Sequence, residues 1–586
     1  MSTLTAVQTT KLLPSDDAIS PRYPMYTRAN SGEVFIEPSS PLNWSLVGLH
    51  ALEGGFRDAL IQMGTFSRDD FGPEELGGDQ CVASFGGYIY MNLSINRVLG
   101  VRAPGFSTDA IDQSFFGANP DVPAYVAHPD DENEERTAAT GAWMASLFAP
   151  APDPNQADRA SIDETLAAAP DLASLSNVEL VAYARDLTRR LRGPFRQHMV
   201  NTFAANIVSG TIAGSAAAVG LGDKVAAVLA GEGDADSAKQ SFALWEISRV
   251  VRNSPLLSEA FDAGLDGLVA RLRAHSDAEA ARFIEAFEDF IAAWGFIGPS
   301  VWELRSPTYA SEPRIVLQMI DAARRSPDSA SPKSRTESSQ RAREEAVAAI
   351  AAALSVDPTA QGTFQAAAAV APAIMPAREG SKVQCTRLMN AIRQTFKALG
   401  ERYVAAGVLT DWVDVLMLLD SEVDDFLANP SAYIDAIRER RAALADLEAS
   451  TPPFIVNGVY PSKGDFTKDA AALRPAQVGD VLQGLGVSPG THTGRAKIID
   501  SIDDDIEVEP DDVLIARTTD SSWGTLFLAA GAIVVETGST ISHAAIVSRE
   551  LGIPAAVSVN QAQSLIPDGA LVSVDGSSGT VTVLEV

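Results

Sequence analysis

The chain has 586 residues, which is too long for one compact core, so its length predicts two to four domains. Its net charge of −31 excludes broad binding to nucleic acid or to anionic membranes, because such partners require a basic surface. Its two cysteines, Cys81 and Cys385, exclude a disulfide framework and a zinc–thiolate cluster, so we expect a cytoplasmic protein.

The first part of the chain changes character near residue 160. Residues 1–130 are rich in glycine, proline and aromatic residues, which predicts irregular structure with short helices. From residue 161 to residue 447 the apolar residues recur at helical spacing, and Ser176 and Glu179 form a capping-box pattern before a long run. Residues 1–450 are therefore predicted to form one mainly helical domain.

Two stretches of this region need separate interpretation. Residues 203–222 carry no charged side chain and have about the length of a membrane span, but they include four glycines and several polar residues. We expect a buried segment there, either helix or loop, and no membrane helix. Residues 326–339 are rich in serine and proline, which predicts an exposed loop.

The chain changes again after residue 450. Residues 451–480 hold several prolines and glycines with little periodicity, which is typical of a linker. Residues 481–586 then contain short runs of valine, isoleucine and alanine separated by turn residues, with one good helix pattern from residue 542 to residue 551. This region is predicted to be a small mixed α/β domain.

The helix pattern in this domain begins with a histidine. A buried strand is predicted at residues 533–535, a turn of glycine, serine and threonine follows it, and a helix opens at Ser542–His543 and stops at Gly552. The positive end of a helix disfavours imidazolium, so His543 should be neutral and nucleophilic near pH 7. A phosphoryl group on it would find amide and hydroxyl donors. From the residues alone, a phosphoryl carrier and a histidine that only caps a helix both stay open.

The segment around His543 resembles the swivelling phosphohistidine domain of the phosphoenolpyruvate-utilising enzymes. The residues that carry the resemblance run through the whole C-terminal domain: Gly486–Gly490, Gly494–Ala496, Thr518–Trp523, Ser542–Ala545, Arg549–Pro554, Val574–Gly576 and Gly579–Val581. The resemblance implies a β/β/α fold in which His543 is phosphorylated. It also implies that Thr540, Ser542 and Gly538 support the phosphohistidine.

The helical region carries a looser resemblance in segments such as Thr27–Phe35, Tyr90–Ser94, Gly295–Pro307 and Leu399–Val415. In these segments it is similar to the drug-binding part of rifampicin phosphotransferases and to the histidine-bearing subunit of phenylphosphate synthases and hydroxyaryl dikinases. The similarity implies a multidomain protein in which a mostly helical substrate-binding body precedes the swivelling domain. Charged or polar side chains that could bind the acceptor or stabilise a phenolate are Arg28, His198, Glu303, Arg378, Glu379 and Lys382.

The resemblance implies a phosphotransferase subunit that acts as a dikinase. A separate ATP-grasp subunit with Mg²⁺ is expected to move a phosphoryl group from ATP to His543, with AMP and phosphate as products. The group would then pass to the hydroxyl of a small aromatic acceptor, of the phenol or hydroxyphenyl-ketone type, in aromatic catabolism. This chain is expected to bind no cofactor tightly and no metal, and to work in a hetero-oligomer.

Two other functions stay open. One is a phosphotransferase linked to phosphoenolpyruvate or pyruvate, with the remaining domains on other chains. The other is a non-enzymatic phosphohistidine carrier or regulatory module. A pocket lined by Phe and Trp would favour the aromatic acceptor, a basic pocket would favour a carboxylate and phosphate substrate, and the lack of a pocket would favour the carrier.

Overall fold

The structure is a computed structural model that describes residues 11–72, 79–116, 122–149, 151–230, 236–328, 331–467, 474–499, 508–509, 511–519, 523–538 and 542–586. Within these ranges the side chains of residues 114, 236–238, 332, 334–338, 524–525, 528 and 550 are not described.

A small antiparallel sheet lies in the N-terminal region. Its strands, in spatial order, are β2 (Val82–Phe85), β3 (Tyr88–Asn92), β1 (Met25–Thr27) and β4 (Ile455–Asn457). The prediction of irregular structure over residues 1–130 was therefore incomplete. Strands β1, β2 and β3 are buried at every position, so their sequences lack the alternation of polar and apolar residues that indicates a half-exposed strand.

Helices form the rest of this body. Their bounds are α1 (Ser31–Val34), α2 (Gly54–Gln62), α3 (Leu93–Arg102), α4 (Thr108–Phe116), α5 (Glu134–Ser146), α6 (Gln156–Ala167), α7 (Asn177–Ala218), α8 (Val225–Val228), α9 (Asp236–Arg252), α10 (Pro255–Asp262), α11 (Leu268–Arg273), α12 (Ala278–Trp294), α13 (Arg314–Arg325), α14 (Pro332–Ala353), α15 (Pro358–Ala405), α16 (Asp420–Ala428) and α17 (Ile434–Glu448). A π-helical segment, Asn43–Glu53, precedes α2.

The two longest helices, α7 and α15, pack along each other through the centre of the body. Helix α7 begins where the sequence predicts, because the Ser176 hydroxyl accepts from the Glu179 amide and the Glu179 carboxylate accepts from the Ser176 amide. Buried residues such as Leu180, Leu187 and Leu191 form its apolar face. This pair of helices is the frame that holds the body's part of the site.

Two local predictions have different outcomes. Residues 203–218 are the C-terminal part of α7, but only one face of this stretch is buried, through residues such as Val208 and Ile212, whereas Asn206 and Gly210 are exposed. The prediction of a buried segment was thus right only in part. Among the described residues no helix is long and apolar enough to cross a membrane. The predicted loop at 326–339 was wrong in its second half, because α14 begins at Pro332. Proline is favoured in the first turn of a helix, so its presence there marks a start and not a loop.

The C-terminal domain is built on a mixed sheet with the spatial order β5 (Val481–Gln483), β12 (Thr580–Glu585), β11 (Leu571–Asp575), β7 (Thr491–Ile499), β8 (Val513–Ala516), β9 (Ala532–Val535), β10 (Ala555–Val557) and β6 (Leu485–Ser488). The strands from β7 to β10 are parallel, and the outer pairs are antiparallel. Helices α18 (Gly524–Ala529), α19 (His543–Leu551) and α20 (Ala562–Leu565) cover it. This architecture confirms the predicted fold class, a helical body with a β/β/α domain.

The segment predicted as a linker divides between the two parts. Residues 455–457 pair with β1 of the body, whereas Ala476 is packed in the hydrophobic core of the C-terminal domain. Thr467 still pairs with Thr451 of the body, and residues 468–473, between it and Ala476, lie outside the described residues. The C-terminal domain sits on the body, with α18 against α9 and α13 and α19 against α14.

Candidate functional site

The turn before α19 places His543 at the first position of a helix. Strand β9 is fully buried, and the chain leaves it toward Ser542, whose hydroxyl accepts a hydrogen bond from the Ala545 amide at 3.3 Å. Helix α19 ends at Gly552, which has φ +62°, a conformation that favours glycine. The Ser542 proton is not used by this cap, so its hydroxyl can still donate to an anion at the helix start.

The turn itself is tightly packed at Gly538. A Cβ placed there would lie 2.7 Å from the Val557 Cβ, so only glycine fits without movement. The Gly538 carbonyl also accepts a hydrogen bond from the Ser558 hydroxyl, which fixes the turn to the end of β10. Of the three residues predicted to support a phosphohistidine, Gly538 lies in this turn, Ser542 caps the helix that begins at His543, and Thr540 lies outside the described residues.

The His543 imidazole faces the helical body. Burial lowers the pKa of this imidazole well below its ordinary value, and the nearby cations Lys382 and Arg378 lower it further. Its Nδ1 atom is buried without a hydrogen-bond partner among the described residues. The ring packs near Phe527, with 6.0 Å between the ring centroids. His543 is therefore neutral at pH 7, and no described residue forms a hydrogen bond with its Nδ1.

Helix α15 of the body contributes a pair of cations, Arg378 and Lys382, to the site. Arg378 and Lys382 are four residues apart on this helix and so lie on one face. The Arg378 guanidinium forms an ion pair with the neighbouring Glu379 carboxylate, while the Arg378 Nε has no hydrogen-bond partner among the described atoms. The cations that act on His543 thus come from two of the residues predicted to bind the acceptor.

His198 of α7 lies near the same pair of cations. Burial, with contributions from Arg378 and Lys382, lowers the pKa of His198 to about 3. The Ser381 hydroxyl donates to the Arg378 carbonyl at 2.8 Å, so the contact of 3.1 Å between Ser381 and His198 Nδ1 requires Nδ1 to donate. His198 is therefore a neutral histidine with a fixed tautomer.

The other two predicted acceptor residues are engaged elsewhere. Arg28 donates to the carbonyls of Ile89 and Phe35, each at 2.8 Å, and its guanidinium stacks 5.0 Å from the Tyr88 ring centroid. The Glu303 carboxylate accepts from the Ser40 hydroxyl at 2.7 Å and the Ser40 amide at 3.0 Å. Arg378 and Lys382 thus lie near His543, with Glu379 and His198 close to Arg378, whereas Arg28 and Glu303 hold loops of the N-terminal region.

Three residues that were not predicted from the sequence also belong to this junction. Burial raises the pKa of Glu33 to about 8, against the opposing effect of Arg378. The Glu33 carbonyl lies 3.5 Å from the Thr518 hydroxyl of the C-terminal domain, and the neighbouring Thr519 hydroxyl is buried without a partner among the described residues. All three lie in segments already singled out by resemblance, but only the fold places Glu33 beside Arg378 and Thr518 beside Glu33.

An apolar cavity of about 330 Å³ lies next to this junction. Its body side includes the rings of Phe106, Phe115, Trp143 and Phe203, and its other side is made by the C-terminal domain, including Val487 and Arg549. Arg549 is six residues after His543 in α19, about 9 Å along the helix axis. Within the described ranges, no group of three or more His, Cys, Asp or Glu residues is arranged to hold a metal ion.

The fold and the site together define a class of protein. In this class, an α/β domain sits on a helical body and carries a histidine at the start of a helix. Comparison with known proteins agrees with this class. Residues 196–379 match the family model "Rifampicin phosphotransferase fourth domain", and residues 508–579 match "PEP-utilising enzyme, mobile domain". The C-terminal domain thus matches the mobile domain of phosphoenolpyruvate-utilising enzymes, and part of the helical body matches a domain of rifampicin phosphotransferases.

Individual relatives extend this result. An uncharacterised protein of Mycobacterium tuberculosis is 28% identical over 97% of this chain and 62% of its own length. A rifampicin phosphotransferase of Streptomyces sviceus is 35% identical over 33% of this chain and 21% of its own length. The prodigiosin synthesizing transferase PigC of Serratia marcescens is 41% identical over 25% of this chain and 16% of its own length. The chain therefore spans about three fifths of the relative that it matches most completely here.

Proposed function

We propose that this chain is a phosphotransferase component that accepts a phosphoryl group on His543 and passes it to the hydroxyl of a small aromatic molecule. The observation that carries the proposal is the position of His543, a neutral imidazole at a helix start that faces Arg378 and Lys382 of the body. A neutral imidazole is a nucleophile, and two cations opposite it can stabilise a transferring phosphoryl group. A helix cap alone would not need that pair of cations.

The transfer step can be written with its atoms in balance. The acceptor oxygen attacks phosphorus, the phosphorus–nitrogen bond to His543 breaks, and the imidazole nitrogen regains a proton while the hydroxyl loses one. The Glu33 carboxyl group, whose pKa is raised to about 8, is suited to relay this proton. Arg378 and Lys382 would stabilise both the phosphoryl oxygens and a developing phenolate, since a free phenol has a pKa of about 10.

The acceptor class follows from the apolar cavity. Its volume of about 330 Å³ and its aromatic residues, Trp143 and Phe203 among them, suit a small planar ring. Its aromatic lining favours the aromatic acceptor over a substrate with a carboxylate and a phosphate. The predicted residues Arg378, Glu379, Lys382 and His198 do not line this cavity. Arg378 and Lys382 would meet the acceptor on its His543 side, with Glu379 and His198 next to them.

The donor side of the proposal follows the resemblance to dikinases. We place the nucleotide site on a separate ATP-grasp subunit, which with Mg²⁺ would transfer one phosphoryl group from ATP to His543 and another to water, so that AMP and phosphate are released. The role in aromatic catabolism belongs to the same proposal.

The test separates loading from transfer. The full chain is treated with phosphoramidate, a chemical phosphoryl donor for histidine, and the label at His543 is located by mass spectrometry. Phenol, 4-hydroxyacetophenone and 4-nitrophenol are then added, and aryl phosphate is measured by ³¹P NMR. Trp143→Ala and Phe203→Ala should load normally but raise KM for the phenol roughly tenfold, because they remove apolar contacts in the cavity. If labelled His543 gives no aryl phosphate with any phenol, the acceptor class is wrong.

The donor is tested in a parallel experiment. ATP with Mg²⁺ and an ATP-grasp protein should label His543 and release AMP, whereas the chain with ATP and Mg²⁺ alone should not. Labelling without the second protein would contradict the separate subunit. Labelling by phosphoenolpyruvate, and not by ATP with the ATP-grasp protein, would replace ATP as the donor.

A further inference from the structure

The contact between the two parts of the molecule includes a buried tryptophan from the body. Trp245 lies on α9 and is only 5% exposed. It belongs to the same buried hydrophobic cluster as Trp523, Leu526 and Phe527 of the C-terminal domain, and not to the large core of the body. Helix α18, which carries Leu526 and Phe527, packs against α9 and α13. The indole of Trp245 thus completes the core of the mobile domain from outside it.

The body holds this indole in a fixed orientation. The Arg249 guanidinium stacks over it at 4.0 Å from the ring centroid, one helical turn along α9. Arg249 is itself fixed, because it donates to the Ser326 carbonyl and to the Asp328 carboxylate, each at 2.9 Å. Ala322 of α13 packs at the edge of the same cluster. The seat for the C-terminal domain is therefore a surface built by α9, α13 and the segment after α13.

The seat is connected to the reacting histidine through one side chain. Phe527 is fully buried in the cluster that contains Trp245, and its ring lies 6.0 Å from the His543 imidazole. Movement of α18 on its seat would therefore move the surface against which His543 packs. We propose that Trp245 is a positioning residue, which seats the mobile domain so that His543 faces Arg378 and Lys382 during transfer to the acceptor. The seating follows from the packing alone, and its role in transfer rests on the proposed function.

The seating itself can be measured without any substrate. The variants are Trp245→Ala, Trp245→Phe as the conservative replacement, and Trp294→Ala as the control, since Trp294 is an aromatic residue of α12 that packs within the body against Phe296. In the full chain, we expect amide hydrogen exchange of α18 to accelerate roughly tenfold or more in Trp245→Ala, because a buried anchor tryptophan is lost. Trp245→Phe should restore most of the protection, and Trp294→Ala should leave it unchanged.

A second readout distinguishes positioning from general stability. In ¹³C-histidine NMR titrations, His543 of Trp245→Ala should titrate closer to its ordinary value, because it moves away from Arg378 and Lys382 and into water. His198, which stays in the body, should titrate as in the wild-type protein. If Trp245→Ala leaves both the α18 exchange and the His543 titration unchanged, Trp245 does not seat the domain.

A variant on the other side of the seat covers the case in which Trp245→Ala fails to fold. Ala322→Arg places a long charged side chain at the edge of the cluster, and it should give the same changes in α18 and His543. Unchanged exchange and titration in that variant would overturn the proposal. The role in transfer is then tested with phosphoramidate-loaded protein, in which Trp245→Ala should load normally and discharge to phenol roughly tenfold more slowly. Normal discharge by an unseated variant would reject the role in transfer, whereas failure of loading in the wild-type chain would reject the proposed function and leave the seating intact.

Discussion

The molecule holds two buried histidines in two regions that differ in how the ring is held. His543 lies in the C-terminal domain at the start of α19, and His198 lies in the middle of α7 in the body. Burial lowers the pKa of both, and Arg378 and Lys382 lower both further. The His198 Nδ1 bonds to Ser381, whereas the His543 Nδ1 is buried without a partner among the described residues.

The difference teaches that a depressed pKa does not by itself identify a nucleophile. In His198 the Nδ1 atom carries the proton that it donates to Ser381, so this nitrogen has no free lone pair for attack, and the ring is held in a buried network of the body. A neutral imidazole with an unpaired nitrogen at a helix start can instead attack and then hold an anion. The two histidines can therefore be compared by mutation. We expect the loss of activity to be largest for His543 and smallest for His198.

The largest effect is expected for His543→Ala. Removal of the imidazole should abolish loading by phosphoramidate at this site and reduce aryl phosphate formation by at least about a thousandfold, since the covalent route is lost. Phosphate incorporation and aryl phosphate release are the measurements, and circular dichroism verifies the fold. Retained turnover in a folded His543→Ala protein would show that the group does not travel through this residue.

Loss of one cation of the Arg378–Lys382 pair should have a smaller effect on phosphoryl transfer. Lys382→Ala is expected to slow discharge of phosphorylated His543 to a phenol roughly 100-fold, because one charge that stabilises the transferring group is removed. It should also raise the pKa of His543, since Lys382 lowers it in the wild-type protein. Single-turnover discharge and the histidine titration measure the two effects.

Lys397→Ala is the matched control for that variant. Lys397 is on the same helix and pairs with Glu401, away from the group of residues that acts on His543. In the Lys397→Ala variant, phosphorylated His543 should discharge to a phenol at the wild-type rate. Equal losses in both lysine variants would mean that the charge of α15 as a whole matters, and not the position of Lys382.

The turn at Gly538 should show an intermediate effect on stability and activity. The added methyl of Gly538→Ala would meet the Val557 Cβ at 2.7 Å, so we expect a cost of about 1–3 kcal/mol to the C-terminal domain. Thermal unfolding and phosphoramidate loading measure the change. Gly362→Ala is the control, because no described atom lies within 4 Å of the Cβ that it would add inside α15. A Gly538→Ala protein as stable as wild type would mean that the turn adapts at no cost.

The sequence predicted the His543 region well because its information is local. A buried strand, a small-residue turn, a cap at Ser542 and a stop at Gly552 are neighbours in the chain, and each is visible in the residue types alone. The strands β8 and β9 were also predicted, since both are continuous apolar runs. The short edge strands β5 and β6 were missed because they contain glycine and glutamine and resemble turns.

The body's part of the site could not be predicted to the same degree because it is assembled across the chain. Arg28 and Arg378 are equally plausible cations in the sequence, but only the packing shows that Arg28 binds backbone carbonyls while Arg378 faces His543. Glu33 and Trp245 were not selected at all. Their roles depend on contacts with residues about 280 to 485 positions away, and no spacing rule reaches that far.

The smallest effect on activity is expected for His198→Gln, and its main signature is in stability. The folded pKa of His198 is about 3, below the ordinary value near 6.5, so the unfolded chain binds a proton in this interval that the folded chain does not. Stability should therefore fall as the pH is lowered from about 6.5 toward 3, with a slope of at most about 1.4 kcal/mol per pH unit from this proton. His543 contributes with the same sign.

His198→Gln keeps a polar group near Ser381 but removes the titrating one, so its stability should decline less steeply over this interval. Urea unfolding at a series of pH values gives the slope, and the exposed His275→Gln should keep that of wild type. Loading of His543 should be normal in His198→Gln. Identical slopes in the wild-type and His198→Gln proteins would mean that His198 does not remain neutral in the fold, and the contrast between an engaged and an open histidine would then rest on geometry alone.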